Sequence, residues 1–163
     1  MLVLGMGNLL RGDDGVGVRV AEWLLSEGVP PGVEVLDVGT AGLDITFLGD
    51  DVEHVVIVDA ADFGAAPGTI RWFSLDEAPA EEGKALRSPH GMTVMDAIAL
   101  ARRLGVKARF WACGIQPDSM EFTMELSPAV SASVGNAANL VRRKVNELTS
   151  AKDKPPQRYG VWR

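Results

Sequence analysis

The opening of the chain constrains its fold more than any other stretch. Met1-Leu2-Val3-Leu4 is an apolar run that stops at Gly5, and the thirteen residues GMGNLLRGDDGVG (5–17) then hold five glycines and two adjacent aspartates. Val16, Val20, Trp23 and Leu24 follow at the spacing of an amphipathic helix, predicting one from about Asp14 to Glu27. Strand, tight turn and helix form the unit from which parallel sheets are built, because two strands joined in parallel need a crossover between them.

The rest of the chain repeats that alternation. Val33–Asp37 reads as a second strand, and His54–Asp59 as the strongest, β-branched and uncharged until its C-terminal end. Gly68–Phe73 alternates polar with apolar residues, which suits an antiparallel strand near an edge, and Val106–Ala112 completes the set. Helices are expected as a short one within 43–50, one from Met92 ending at Gly105, and a long one carrying Val130, Val134, Ala137, Val141, Val145 and Leu148. Residues 75–89 form a polar, acidic loop with two prolines and are a candidate lid. The expected domain organisation is one unit over 1–149 and a mobile basic tail over 150–163. The fold class is α/β, a largely parallel sheet covered on both faces, with working groups beyond the C-terminal ends of the strands.

Bulk properties exclude several functions. A chain of 163 residues buries enough surface to be stable without a disulfide or structural metal. With a net charge of −6 and no polybasic run before the last residues, it lacks the lysine and arginine that nucleic-acid or membrane-surface binding requires. One cysteine, Cys113, rules out an internal disulfide and a cysteine-built zinc site. The first residues lack the basic n-region of a signal peptide, and no apolar run reaches about 18 residues, so the expectation is a cytoplasmic monomer.

The glycine-rich turn invites comparison with phosphate-binding loops and fails it. Gly5 and Gly7 fit G-x-G-x-x-G but the third position is Leu10, and Gly12-Asp13-Asp14 stands where a P-loop needs Gly-Lys-Ser/Thr. Two carboxylates at a helix N-terminus compete for the N–H groups that would hold a phosphate and repel it. The plainer account is capping by one aspartate and solvation of the other. Asp59 ends the most hydrophobic strand and belongs on the same rim, where hydrogen-bonding the next turn is its plain role. His90, in Ser88-Pro89-His90-Gly91, sits where the acidic loop meets a helix, while His54 reads as a solvated strand-start residue. Asp14, Asp59 and His90 would make a mixed oxygen and nitrogen set suited to Zn²⁺ or Ni²⁺, although spacing alone does not bring them together. Among other chemistries, H-E-x-x-H and G-x-S-x-G are absent, and Cys113 reads as a small buried hydrophobe.

The motifs taken together resemble a known family. Gly5-x-Gly7-Asn8-x-Leu10-x-x-Asp13-Asp14-Gly15-x-Gly17 is similar to the N-terminal signature of hydrogenase maturation endopeptidases. Asp37-x-Gly39-Thr40-Ala41-Gly42, Val58-Asp59-Ala60, Pro67-Gly68-Thr69, Ser88-Pro89-His90 and Gly114-Ile115-Gln116-Pro117 resemble its later motifs in the same order, so the likeness runs from residue 1 to about 148. The resemblance implies a three-layer α/β/α fold with a twisted, mostly parallel sheet of about five strands. It implies a peptidase that removes a short C-terminal extension from the large-subunit precursor of [NiFe] hydrogenases once nickel is inserted. It maps the metal-contacting, catalytic side chains onto Asp14, Asp59 and His90, with nickel carried by the precursor and zinc or cadmium able to occupy the same site. Asp13 and Asp37 are then candidates for a general base that is not bound to metal. A nonenzymatic chaperone that binds nickel and precursor is the alternative. A nucleotide-binding regulatory domain is a third possibility, against which the aspartate pair argues.

Overall fold

The computed structural model describes residues 1–40, 45–46, 48–49, 51–77 and 93–150. Strands β1 (Leu2–Met6), β2 (Glu34–Gly39), β3 (His54–Ala60), β4 (Ile70–Ser74) and β5 (Arg109–Ile115) form one sheet in the order β2-β1-β3-β5-β4. All neighbours pair in parallel except β4, which lies antiparallel to β5 at the edge, as its alternation predicts. Among the described residues the α-helices are α1 (Val16–Glu27), α2 (Val94–Arg103) and α3 (Pro128–Ser150), and a 3-10 turn at Gly12–Gly15 precedes α1.

Strand alternation divides the core in two. On one face Leu2, Leu4, Val55, Ile57, Phe110 and Ala112 pack with Val94, Ala97, Ile98 and Ala101 of α2. On the other, Val3, Val56, Val58, Cys113 and Ile115 pack with Val16, Val20 and Leu24 of α1 and with Val130, Ala137, Val141 and Val145 of α3. The result is the three-layer α/β/α arrangement. α2 opens with a reciprocal capping box, in which the Thr93 hydroxyl accepts from the Asp96 N–H and the Asp96 carboxylate accepts from the Thr93 N–H.

Some boundaries differ from expectation for local reasons. Val33 donates to Pro30 O in a turn, so β2 starts one residue later and runs on to Gly39. Val106 donates back to Ala101 O and so closes the end of α2 instead of joining the sheet; β5 begins at Arg109 and runs through Cys113 to Ile115. Cys113 is therefore inside the strand, not after it. It is fully buried, and burial pushes its thiol up to about 12, consistent with a packing role. Ser150, placed in the tail by the sequence, is the last residue of α3. The tail from 151, the loop from 78 onward, His90 and residues 43–44, 47 and 50 of the expected 43–50 helix lie outside the described residues. Among the described residues no helix is long and apolar enough to cross a membrane.

α1 lies unusually close to the sheet, and two glycines make this possible. A methyl on Gly17 would overlap the carbonyl oxygens of Met6 and Val58, and one on Gly5 would meet the Ala21 Cβ and Gly17 O at 2.5 Å. Since these obstacles include main-chain atoms of packed strands, they cannot swing aside. Gly17→Ala is expected to cost about 3 kcal/mol or more in urea unfolding, at the upper end of overpacking penalties. A wild-type midpoint for that variant would show that α1 can be lifted cheaply.

Candidate active site

The site is built at the carboxyl ends of β1 and β3. Beyond Met6 the chain turns through Gly7, whose φ of +125° few other residues adopt. A side chain on Gly7 would also overlap the Asp14 carbonyl, so the loop backbone lies directly against the 3-10 turn. Gly7 donates to Gly39 O at 2.8 Å, tying the loop to the end of β2. Asp14 is thereby held at the rim, buried, with Oδ2 accepting from the Asn8 N–H at 3.1 Å. Asp59, at the end of β3, is likewise almost fully buried, and its Oδ1 accepts from the Ala60 N–H at 2.8 Å.

The two carboxylates interact. Burial first, and then the charge of Asp14, push the Asp59 carboxyl up to about 8. Among the described residues neither carboxylate has a lysine or arginine partner. A desolvated acidic pair without a protein cation suits an external cation, and its oxygen donors fit a divalent metal. His90, the third member of the expected set, lies outside the described residues; among those described, no three His, Cys, Asp or Glu side chains converge.

Asp13 behaves differently from the expectation. It caps nothing in its own helix and is fully buried. Its Oδ2 accepts from the N–H groups of Asp118 (2.9 Å) and Ser119 (3.0 Å), and its Oδ1 from Ser127 N–H (2.7 Å). Burial acts to raise its pKa, but the three N–H groups more than offset this and hold it below the usual carboxylate value. Both oxygens are engaged, which removes Asp13 as a general base. Main-chain bonds reinforce the clamp, with Gly12 N–H donating to Thr123 O at 2.7 Å and Asp13 N–H to Ser119 O at 3.0 Å. The segment 118–127 is thus bolted to the turn that carries Asp14.

Two further residues shape the rim. Asp37 is exposed at the end of β2, with Oδ1 accepting from Gly39 N–H at 2.9 Å. Gln116, which sequence reasoning noted only as part of a turn, is buried. Its Oε1 accepts from the N–H groups of Phe63 (2.7 Å) and Ala65 (3.2 Å), and its Nε2 donates to Asp62 Oδ1 at 3.1 Å, securing the segment that follows Asp59. His54 stands at the opposite end of β3 from the rim. It is half-buried rather than solvated, and its Nδ1 accepts from Trp111 Nε1 at 3.2 Å.

A mostly parallel α/β sheet with a buried acidic pair at its strand-end rim defines the class of protein. Comparison with known proteins narrows it. The hydrogenase maturation protease family (HycI) matches residues 18–144. Hydrogenase expression/formation protein HupD of Rhodobacter capsulatus is 36% identical over 151 residues, covering 91% of this chain and 70% of that protein. Hydrogenase 2 maturation protease of Escherichia coli is 35% identical over 152 residues, covering 90% and 91%. Among solved structures, the hydrogenase maturating endopeptidase HybD from E. coli superposes with a TM-score of 0.76 at 31% identity, covering 90% of this chain and 92% of that one. The [NiFe] hydrogenase maturation protease HybD from Thermococcus kodakarensis gives 0.70 at 31% identity, covering 88% and 97%. The chain belongs to the hydrogenase maturation protease family, and its enzyme class is that of a peptidase.

Proposed function

We propose that this protein is the endopeptidase that removes the C-terminal extension of a [NiFe] hydrogenase large-subunit precursor after nickel insertion. In this reading Asp14, Asp59 and His90 contact the nickel that the precursor brings with it. The observation that carries the proposal is the desolvated Asp14–Asp59 pair at the rim, which among the described residues lacks a protein cation to balance it. A precursor whose nickel enters this pair is docked with its C-terminal segment along the glycine turn at Gly39, whereas Gly114, a second glycine turn expected from the sequence, is buried inside β5. Hydrolysis then needs a water, a base and a polarised carbonyl. Asp37, exposed on the same rim and not part of the metal set, is the candidate base. Zinc or cadmium in the same donor set would compete with the nickel-bearing substrate.

The test is mass analysis of purified precursor, with and without nickel, after incubation with the enzyme. Loss of the C-terminal peptide only from nickel-loaded precursor is expected, and His90→Ala is expected to reduce it below one-hundredth of wild type while the thermal midpoint is unchanged. Normal processing by that variant would remove His90 from the site. Tight binding of nickel-loaded precursor without any loss of mass would favour the nonenzymatic chaperone.

A further inference from the structure

Three large apolar side chains are strongly exposed on the two segments that Asp13 joins: Leu10 at 57%, Phe122 at 88% and Met124 at 61%. Single exposed apolar residues are ordinary, but these three are held together. The Arg11 guanidinium lies over the Phe122 ring, 5.6 Å from its centroid, and the Gly12 N–H bond to Thr123 O fixes 122–124 against 10–12. Met124 also borders a groove of about 820 Å³ between α1 and α3, where Trp23, Leu126 and Val134 supply further apolar lining. Apolar side chains thus recur from the turn that carries Asp14 along the groove, interspersed there with Arg19, Glu22, Ser26, Glu125 and Ser131.

We infer that Leu10, Phe122 and Met124, continued by this groove, form a docking platform for the body of the protein substrate, separate from the contact at the Asp14–Asp59 pair. The inference rests on the proposed proteolytic function. Three features favour a protein partner bearing apolar and basic side chains. Aromatic residues and methionine are the types enriched where protein interfaces are most buried. The platform is also rigid before it binds, because the Asp13 clamp has already ordered the 118–127 segment, so little ordering cost remains. The charge around it is predominantly acidic: besides Arg11 on the Phe122 ring and the Arg19–Glu22 pair in the groove, Asp118, Glu121 and Glu125 are exposed, and among the described residues none of these three is ion-paired. Two copies of this chain meeting face to face would set these carboxylates against one another, which disfavours self-association and favours a basic counterpart.

The experiment compares wild type with the double variant Phe122→Ser/Met124→Ser, measuring both Kd and processing kinetics for nickel-loaded precursor. The substituted side chains are exposed, so the thermal midpoint should be unchanged. Expected results are a Kd and a KM at least tenfold higher with kcat within twofold of wild type. Glu121→Lys/Glu125→Lys should slow association several-fold and weaken its dependence on salt. An unchanged Kd and KM in the double serine variant would overturn the platform. So would sedimentation showing a wild-type dimer that the serine variant breaks without altering KM, which would assign the surface to a second copy. If wild type binds precursor but never cleaves it, the proteolytic reading fails while the Kd comparison still decides the platform; if it neither binds nor cleaves, both fail.

Discussion

Asp59→Asn is expected to abolish processing and yet give a more stable protein at alkaline pH. Asparagine keeps the oxygen that accepts the Ala60 N–H, so the local geometry survives. What it removes is the cost of ionising a buried carboxyl beside Asp14. In the folded state this carboxyl titrates at about 8, against an unfolded value of about 3.9. Between those values the folded chain holds a proton that the unfolded chain has released, so stability falls as pH rises through that window and levels off above it. At about 1.4 kcal/mol per pKa unit, the penalty is on the order of several kcal/mol by pH 9. The gap between variant and wild type in urea unfolding should be near zero at pH 4 and open steadily toward pH 9. A gap independent of pH would mean that Asp59 is not destabilised by its surroundings. A destabilising acid kept at a strand end is what a functional site, rather than a packing need, requires.

Asp13→Ala is expected to have the opposite character. It leaves three N–H groups, those of Asp118, Ser119 and Ser127, without their carboxylate. Bonds to a charged acceptor and the exposure of orphaned donors together predict a loss of about 4 kcal/mol or more. Because the folded-state pKa of Asp13 is lowered, its contribution is present above the unfolded value and is lost as pH falls through the folded one. Wild type should therefore be acid-sensitive, and the variant should show less of that sensitivity. Amide hydrogen exchange at 118, 119 and 127 reads the clamp directly, and wild-type protection there in the variant would disprove it.

How much of this was legible in the sequence follows from the range over which each signal acts. The apolar runs Leu2–Leu4 and His54–Asp59, the alternation along Gly68–Phe73 and the helical spacing of Val16, Val20 and Leu24 are local, and they placed the strands, the two-faced core and the rim correctly. Asp59 was accessible because it lies at a strand end, and Asp14 because it lies in the turn between the first strand and its helix. Asp13 was misread because a neighbouring helix start offers an aspartate an obvious local partner, whereas its actual partners lie 105 to 114 residues away. Gln116 was underrated for the same reason, since its bonds to Phe63 and Ala65 span 53 and 51 residues. No spacing rule connects such positions; only the folded chain does.

The Asp13 clamp makes the 118–127 segment and the turn that carries Asp14 one solid piece, and a solid piece can act as a gauge. If nickel is seated at one end of it and the substrate body at the other, the peptide bond presented for cutting is selected by length. Adding or removing one residue from an extended substrate segment shifts it by about 3.4 Å, more than a clamped surface without a hinge can absorb. Selectivity for a single bond would then lie less in the side chains flanking the cut than in a fixed distance built into the enzyme.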